Sequence, residues 1–148
     1  MPGIISAASP YLLENGPIYP VIITPSFPTI ETLRLEKKDV PHIKVQALFD
    51  TGAQTTAISE KVSRFLKLVP RGTAKVYTSQ SSKIVNKYDI ALEFDSDMYI
   101  NTLRVFGADL QDHSIDCLIG RDVLQFGIFT YDGLNKRFKL TIPSLATF

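Results

Sequence analysis

The sequence of 148 residues predicts an all-β domain that contains one or two short helices. Three observations predict this class. Short segments alternate apolar and polar residues with a period of two, polar turns separate them at close intervals, and one stretch alone has clear helical periodicity. Many short strands joined in this way are typical of a small closed barrel or another highly folded β architecture.

The composition is that of a globular protein with little net charge. Hydrophobic residues make up 45% of the chain and charged residues 21%, and sixteen Lys and Arg residues oppose fifteen Asp and Glu residues. The net charge of +1 provides no basic excess, so we expect no nucleic-acid partner. No apolar stretch approaches the roughly 20 residues of a membrane span, and the N-terminus lacks a signal-peptide pattern. We therefore expect no membrane span and a cytoplasmic location.

Residues 1–28 are rich in proline, which interrupts regular structure. Short apolar pieces such as residues 21–23 lie between the prolines. We expect an extended N-terminal arm, with room for an edge strand, in front of a domain of residues 29–148. The six prolines are Pro2, Pro10, Pro17, Pro20, Pro25 and Pro28.

Strand patterns dominate from Thr29 onward, beginning with a mild alternation over residues 32–35. The strongest pattern spans residues 42–49 and leads directly into Asp50. Its period of two is typical of a half-buried strand. Its apolar positions are Ile43, Val45, Ala47 and Phe49, and they alternate with His42, Lys44 and Gln46.

The stretch with helical periodicity begins at Ser59, which can cap a helix. Glu60 favours the first turn through the helix dipole, and Pro70 and Gly72 end the pattern. The residues predicted to form the buried face follow the i, i+3, i+4, i+7 spacing. They are Val62, Phe65, Leu66 and Val69.

The second half of the chain predicts further strands and one short helix. A hairpin of residues 74–78 and 84–94 encloses the polar segment 79–83, and a strand over 99–106 follows. The short apolar run at 115–119 predicts a strand that is buried on both faces. A short helix over residues 120–126 and a hairpin of residues 129–131 and 137–142 complete the prediction.

Cys117 is the single cysteine, so no disulfide can form within the chain. A lone cysteine can be a nucleophile, but the apolar residues around it favour a buried and inert thiol. His42 and His113 lack a spacing that would let them bind a metal with each other or with Cys117. We expect neither a metal nor a cofactor.

An acidic residue follows directly on the strongest strand, in the tripeptide Asp50-Thr51-Gly52. The strand would bring the carboxylate to the floor of a cleft, and Gly52 would let the backbone turn away without a clashing Cβ. The Thr51 hydroxyl could hold the turn by bonding to backbone. The same residues also suit an ordinary turn at a strand end, so the tripeptide alone leaves both interpretations open.

A second motif follows in Cys117-Leu118-Ile119-Gly120-Arg121-Asp122-Val123-Leu124, an apolar strand that ends at a glycine and opens a short helix. Together with Asp50-Thr51-Gly52-Ala53, its continuation Thr55-Thr56-Ala57-Ile58 and the intervening hairpin, it resembles the pattern of the retropepsin-like aspartic proteases. This is the single-lobe family that includes the retroviral enzymes. The resemblance covers about residues 29–142. It implies a single-lobe acid-protease barrel that forms a two-fold dimer.

The resemblance also implies roles for individual residues. Asp50 would be the catalytic acid, and Thr51 would join the active-site loops of two subunits by hydrogen bonds near the two-fold axis. Gly52 and Ala53 would line the floor and contact the substrate backbone, while Gly120 would lie beneath the Asp50 loop. The tip of the hairpin would be a flap that closes over substrate. Its residues are Ser79, Gln80, Ser81 and Ser82.

Two positions depart from the family pattern. Many retroviral members carry an acid where Gln54 stands, facing the Arg of the second motif. Arg121 therefore lacks that charged partner, and we expect either that Asp122 or a water serves instead or that the dimer is weaker. Retroviral flap tips are also rich in glycine, whereas residues 79–82 contain none.

A single Asp-Thr-Gly in the chain implies that a second copy completes the site, because this chemistry uses two neighbouring carboxylates as acid and base. The expected partners are a second copy of the chain, in a homodimer, and an extended polypeptide substrate. The expected function is that of an aspartic endopeptidase that hydrolyses peptide bonds with a water held between two Asp50 carboxylates. The alternative is a retropepsin-like module that binds peptides or dimerises without turnover.

Overall fold

A computed structural model of the chain describes residues 3–77, 79–95, 98–110 and 114–143. These residues form ten strands and four helices. The strands are β1 (Gly3–Ala8), β2 (Ile18–Pro25), β3 (Ile43–Phe49), β4 (Ala57–Ser59), β5 (Thr73–Tyr77), β6 (Ser82–Asp95), β7 (Met98–Ala108), β8 (Cys117–Ile119), β9 (Ile128–Asp132) and β10 (Arg137–Ile142). The helices are α1 (Leu12–Asn15), α2 (Phe27–Leu35), α3 (Glu60–Phe65) and α4 (Arg121–Leu124).

Six strands close into a barrel. The larger sheet has the order β2-β3-β8-β4-β7-β6-β5, and β2 also pairs with β6, which joins the two sides of the sheet. β5 remains outside the closed part and pairs with β6 alone among the described strands. The prediction of a mostly β protein with a closed barrel is confirmed, although α1 and α2 were not expected.

The other three strands form a separate sheet with the order β1-β10-β9. The barrel and this sheet meet at Phe49, the last residue of β3, which contacts Phe129 and Phe138 at ring-centroid distances of 5.4 Å and 5.8 Å. Phe49 also stacks on Phe94 inside the barrel at 6.3 Å. The strand that leads to Asp50 is therefore fixed in the core by an aromatic cluster.

The N-terminal segment differs from the extended arm expected from its prolines. β2 pairs antiparallel with β3 over residues 18–23 and with β6 over residues 22–25, so it is an interior strand of the barrel. Val21 and Ile23 are fully buried. Pro20 has no N–H to donate. It lies before Ile22, the first residue of β2 that pairs with β6, so its missing N–H costs no hydrogen bond to β6. β1 is an edge strand, paired with β10.

The prediction of a strand near residues 32–35 is wrong, because these residues belong to α2. Pro28 lies in the first turn of this helix, where its missing N–H costs no intrahelical bond. The Thr32 hydroxyl donates to the Pro28 carbonyl at 3.2 Å, which is a helical spacing. Ile30 is buried. Four alternating residues are too short a pattern to outweigh a helix start of this kind.

α3 is shorter than predicted, and its buried face is narrower. Val62 and Leu66 are buried, but Phe65 and Val69 are 57% and 72% exposed. The helix ends at Phe65 because Lys67 adopts a positive φ of 55°, which reverses the chain before Val69. Ser59 precedes the helix without capping it, since its hydroxyl bonds instead to the Asp116 carboxylate at 3.1 Å.

The remaining elements follow the predicted order. The alternating residues of β6, namely Tyr88, Ile90, Leu92 and Phe94, are buried on one face as expected. β8 pairs parallel with β3 and antiparallel with β4, so it lies inside the sheet. Thr78, His113 and the turn at residues 96–97 lie outside the described residues. None of the helices in the described ranges is long and apolar enough to cross a membrane.

Cys117 is fully buried, as the apolar run around it predicted. Burial raises the pKa of its thiol to about 12, and the negative charges of Asp122 and Asp116 act in the same direction. We expect the native protein to react with an aromatic disulfide reagent only at its rate of unfolding at pH 8, and the denatured chain to react at once. Absorbance of the released thiolate measures both rates. Fast reaction of the native protein would contradict the burial of Cys117.

Candidate active site

Asp50 is the first residue after β3, and the backbone around it is fixed on both sides. Its N–H donates to the Ile119 carbonyl at 2.9 Å, and its carbonyl accepts from the Ala53 N–H at 3.1 Å. Its carboxylate Oδ1 accepts from the Gly52 N–H at 2.9 Å. Within the described residues Oδ2 accepts no hydrogen bond. The half-buried carboxylate is thus held in place and keeps one oxygen for an outside donor.

Thr51, Gly52 and Ala53 form the turn that leaves Asp50. Thr51 is exposed, and its hydroxyl makes no hydrogen bond to another described residue of the chain. A Cβ on Gly52 would lie 3.1 Å from Asp50 Oδ1, so the absence of a side chain there lets the carboxylate approach the backbone. These residues therefore leave both the carboxylate and the Thr51 hydroxyl accessible.

Gly120 lies against the Asp50 loop. Gly120 is buried, and a Cβ on it would lie 2.9 Å from the Ala53 carbonyl oxygen and 2.9 Å from the Thr55 carbonyl carbon. The Arg121 N–H donates to the Ala53 carbonyl at 2.8 Å, and the Asp122 N–H donates to the Gln54 carbonyl at 3.1 Å. The start of α4 therefore supports the loop from below through its backbone.

The contact between Thr56 and Asp122, which fixes the end of the loop, was not expected from the sequence. The Asp122 carboxylate accepts from the Thr56 hydroxyl at 2.7 Å, from the Thr56 N–H at 3.0 Å and from the Val123 N–H at 2.9 Å. The Thr56 hydroxyl in turn accepts from the Gly120 N–H at 3.1 Å. The separation of 66 positions between the two side chains hides this pair from any local pattern.

Arg121 has a different partner from the one we expected. Its Nη1 donates to the Thr51 carbonyl at 2.7 Å, whereas the Asp122 carboxylate is occupied by Thr56 and Val123. A neutral carbonyl thus replaces the acid that is absent at Gln54. Arg121 contacts the Asp50 loop directly, one residue after the carboxylate.

The four residues of the predicted flap lie at the tip of the β5–β6 hairpin and are exposed. The register pairs Tyr77 with Ser82 and Val76 with Lys83, so the turn is short. Lys75 places its ammonium 5.6 Å from the centre of the Tyr77 ring. These contacts order the arms of the hairpin. The role of Ser79, Gln80, Ser81 and Ser82 as a flap remains a prediction.

The described part of the chain offers no group of three or more His, Cys, Asp or Glu side chains that could hold a metal ion. His42 is exposed and directly precedes β3. The polar groups that the Asp50 loop itself presents are the Asp50 carboxylate, the Thr51 hydroxyl and backbone N–H and C=O groups.

The fold of the chain is similar to that of a solved protease structure. The chain resembles the crystal structure of a retropepsin-like aspartic protease from Rickettsia conorii, with a TM-score of 0.57 and 14% sequence identity. The match covers 96% of this chain and 93% of that one. No protein-family model and no curated protein matches the sequence. The likeness shows that the fold is of the retropepsin type.

We expect Gly120→Ala to disturb the Asp50 loop. The added Cβ would meet backbone atoms of Ala53 and Thr55, which cannot move away as a flexible side chain could. Overpacking of this kind lowers the free energy of unfolding by about 1–3 kcal/mol, which chemical denaturation measures. Gly133→Ala is the control, since the nearest atom to its Cβ would be 3.4 Å away, on Tyr131. Equal stability of the two variants would contradict the close contact at Gly120.

Thr56→Val tests the contact with Asp122. The substitution keeps the shape of the side chain, but it leaves the Gly120 N–H without its acceptor and removes one of the two hydrogen bonds to Asp122 Oδ1, which still accepts from the Val123 N–H. We expect the free energy of unfolding to fall by about 1–3 kcal/mol. Thr130→Val, at an exposed position of β9, should change it by less than about 0.5 kcal/mol. A Thr56→Val protein as stable as this control would show that the hydroxyl has no structural role.

Proposed function

We propose that the chain is one subunit of a homodimeric aspartic endopeptidase, and that each subunit contributes its Asp50 to a shared active site. The observation that carries the proposal is the geometry of the Asp50 loop. One carboxylate stands at a strand end, accepts the Gly52 N–H through one oxygen and keeps the other oxygen accessible. Backbone and side-chain bonds from α4 fix this loop within the subunit.

Two carboxylates are needed because hydrolysis requires a base that activates water and an acid that protonates the substrate. Two carboxylates close together do not both ionise easily, since like charges raise the pKa of one of them. The pair then shares one proton, and the ionised member serves as base while the protonated member serves as acid.

In the proposed reaction, a water bound between the two Asp50 carboxylates attacks the carbonyl carbon of the scissile peptide. The ionised Asp50 takes a proton from the water, and the protonated Asp50 donates its proton to the carbonyl oxygen. A tetrahedral diol forms. Its collapse returns a proton to a carboxylate, protonates the leaving nitrogen and breaks the C–N bond.

A two-fold dimer is supported by features of the loop itself. The Thr51 hydroxyl is exposed and makes no hydrogen bond to another described residue of its own chain. In an isologous interface it would contact the same loop of the second copy, as the resemblance to the retropepsin-like proteases implies. The substrate would bind as an extended strand between the tip of the β5–β6 hairpin and the floor at Gly52 and Ala53.

Asp50→Asn tests the catalytic assignment. The amide cannot act as a base, so we expect the rate of peptide cleavage to fall by a factor of about 10²–10⁴ or more with the fold unchanged. Cleavage of a fluorogenic peptide library measures the rate, and circular dichroism checks the fold. Asp39→Asn, at an exposed position, controls for the loss of one negative charge.

A mixed dimer tests whether the two subunits share one site. Wild-type and Asp50→Asn subunits with different affinity tags can be expressed together and purified as a heterodimer. If both carboxylates act on one water, the heterodimer is inactive. A heterodimer with half of the wild-type rate would show that each Asp50 works independently, and an active Asp50→Asn homodimer would overturn the assignment of Asp50.

A further inference from the structure

The β5–β6 hairpin extends beyond the barrel. Among the described residues, β6 pairs with β7 only from Lys87 onward, where Lys87 lies opposite Phe106, and residues 82–86 of β6 pair with β5 alone. The large apolar side chains of Tyr77 and Ile84 on the hairpin are 74% and 70% exposed. A segment that buries so little apolar surface is held in place mainly where it joins the rest of the fold.

The backbone closes this junction with one pair of hydrogen bonds. The Arg71 N–H donates to the Lys87 carbonyl at 2.7 Å, and the Lys87 N–H donates to the Gly72 carbonyl at 2.9 Å. Gly72 has a positive φ of 125°, which favours glycine. We call these three residues the hairpin root. One pair of bonds joins the two chain segments but leaves the hairpin free to tilt, so other contacts must set its orientation.

Close packing against α3 does not set this orientation. A cavity of about 350 Å³ lies between the hairpin, α3 and the end of β7. Lys83 and Val85 line it from the hairpin, and Arg64 lines it from α3. Packed side chains leave few voids larger than a water molecule, so elements separated by a space of this size do not interlock. The hairpin therefore has room to move toward α3.

A chain of side-chain hydrogen bonds crosses from the hairpin into the barrel. The Asn86 amide donates to the Tyr88 hydroxyl at 3.2 Å, and that hydroxyl donates to Glu60 Oε2 at 2.9 Å. Asn86 pairs with Thr73 of β5 and so belongs to the hairpin, whereas Tyr88 is buried and pairs with Val105 of β7. The three side chains thus connect the hairpin, the barrel and the first residue of α3, on either side of the hairpin root.

The Glu60 carboxylate is held against the barrel. A Cβ at Gly107 would overlap Glu60 Oε1, so the absence of a side chain on β7 provides the space for this oxygen. Oε1 is buried and has no partner in the described structure, and the Tyr88 hydroxyl is the one described donor to the carboxylate. A hydrogen bond to an ionised acceptor is stronger than a neutral one. The position of Glu60 therefore depends on Tyr88, and that of Asn86 depends on both.

Glu60 is also close in sequence to the Asp50 loop. It comes four residues after Thr56, which is bonded to Asp122, and β4 lies between them. β4 is an interior strand that pairs with β7 and β8. The start of α3 thus has a fixed position relative to the loop, and the network ties the hairpin to the same segment that anchors Asp50.

We infer that Glu60 is a positioning residue that sets the orientation of the β5–β6 hairpin through Tyr88 and Asn86. In the proposed peptidase a hairpin that is already oriented binds substrate more tightly, because less conformational entropy is lost on binding. This effect on substrate rests on the proposed function, whereas the effect on the hairpin does not. Glu60 takes no part in proton transfer, which belongs to the Asp50 pair.

Tyr88→Phe removes both hydrogen bonds with little change in shape. From ¹⁵N relaxation we expect the order parameters of β5 and of residues 82–86 to fall from about 0.85 to below about 0.6, and those of β7 to stay the same. Tyr131→Phe is the matched control, since its hydroxyl donates to the Leu12 carbonyl at 3.5 Å, beside the other sheet. An unchanged hairpin in Tyr88→Phe, or an equal fall throughout the chain, would overturn the inference.

Variants at Glu60 separate the hydrogen bond from the charge. Glu60→Gln keeps an acceptor for the Tyr88 hydroxyl, so the hairpin should stay ordered, whereas Glu60→Ala should loosen it as Tyr88→Phe does. Gly107→Ala displaces the carboxylate from the side of β7 and should have the same effect as Glu60→Ala. Equal loss of order in Glu60→Gln and Glu60→Ala would overturn the inference, because the charge and not the bond to Tyr88 would then be responsible.

Peptide cleavage by Tyr88→Phe tests the effect on substrate. We expect KM to rise about tenfold while kcat stays within about twofold, since the lost interaction affects binding and not the Asp50 pair. The pH profile of kcat should not move. An unchanged KM in a variant with a mobile hairpin would overturn the role in substrate binding. The relaxation measurements do not use cleavage, so a wild-type protein without peptidase activity would refute the proposed function and still leave the positioning of the hairpin to be decided by them.

Discussion

The hydrogen bonds between Asp122 and Thr56 are the constraint on which the rest of the site depends. They connect the first turn of α4 to the end of the Asp50 loop, just before β4. Because the Thr56 hydroxyl also accepts from Gly120, the same few atoms hold the glycine that lies under the loop. A carboxylate that accepts three bonds in a partly buried place is strongly oriented. The loop is thereby anchored at its far end, while Ile119 anchors it at Asp50.

This arrangement explains how the loop is held although position 54 carries a glutamine and not an acid. Asp122 is engaged with Thr56 and Val123 and is not available to neutralise Arg121. Arg121 instead donates to the Thr51 carbonyl, and this bond helps to hold the turn next to Asp50. A charge-assisted hydrogen bond to a carbonyl orients the loop and adds no second negative charge near Asp50. The local field at Asp50 therefore has fewer acidic contributors than the family pattern implies.

The sequence predicted the parts of the site that depend on local patterns. Period-2 alternation identified the strand that ends at Asp50, whereas the place of Gly120 beneath the loop came from the resemblance to the retropepsin-like proteases. Thr56 could not be found in this way, because its partner lies far along the chain and neither residue stands out in composition. α2 was missed because four alternating residues preceded by prolines look like a broken strand, although Pro28 lies in the first turn of the helix, where its missing N–H costs no bond.

For the proposed dimer, the folded chain by itself already fixes the loop that carries Asp50. Phe49 fixes the strand within an aromatic cluster, and α4 fixes the turn from below. A partner subunit would thus not have to order the loop, and little conformational entropy would be lost when two copies meet. What one subunit lacks is a second carboxylate and an acceptor or donor for the Thr51 hydroxyl. In the proposed dimer the same loop of an identical chain meets both needs, so a two-fold axis beside Asp50 would satisfy them together.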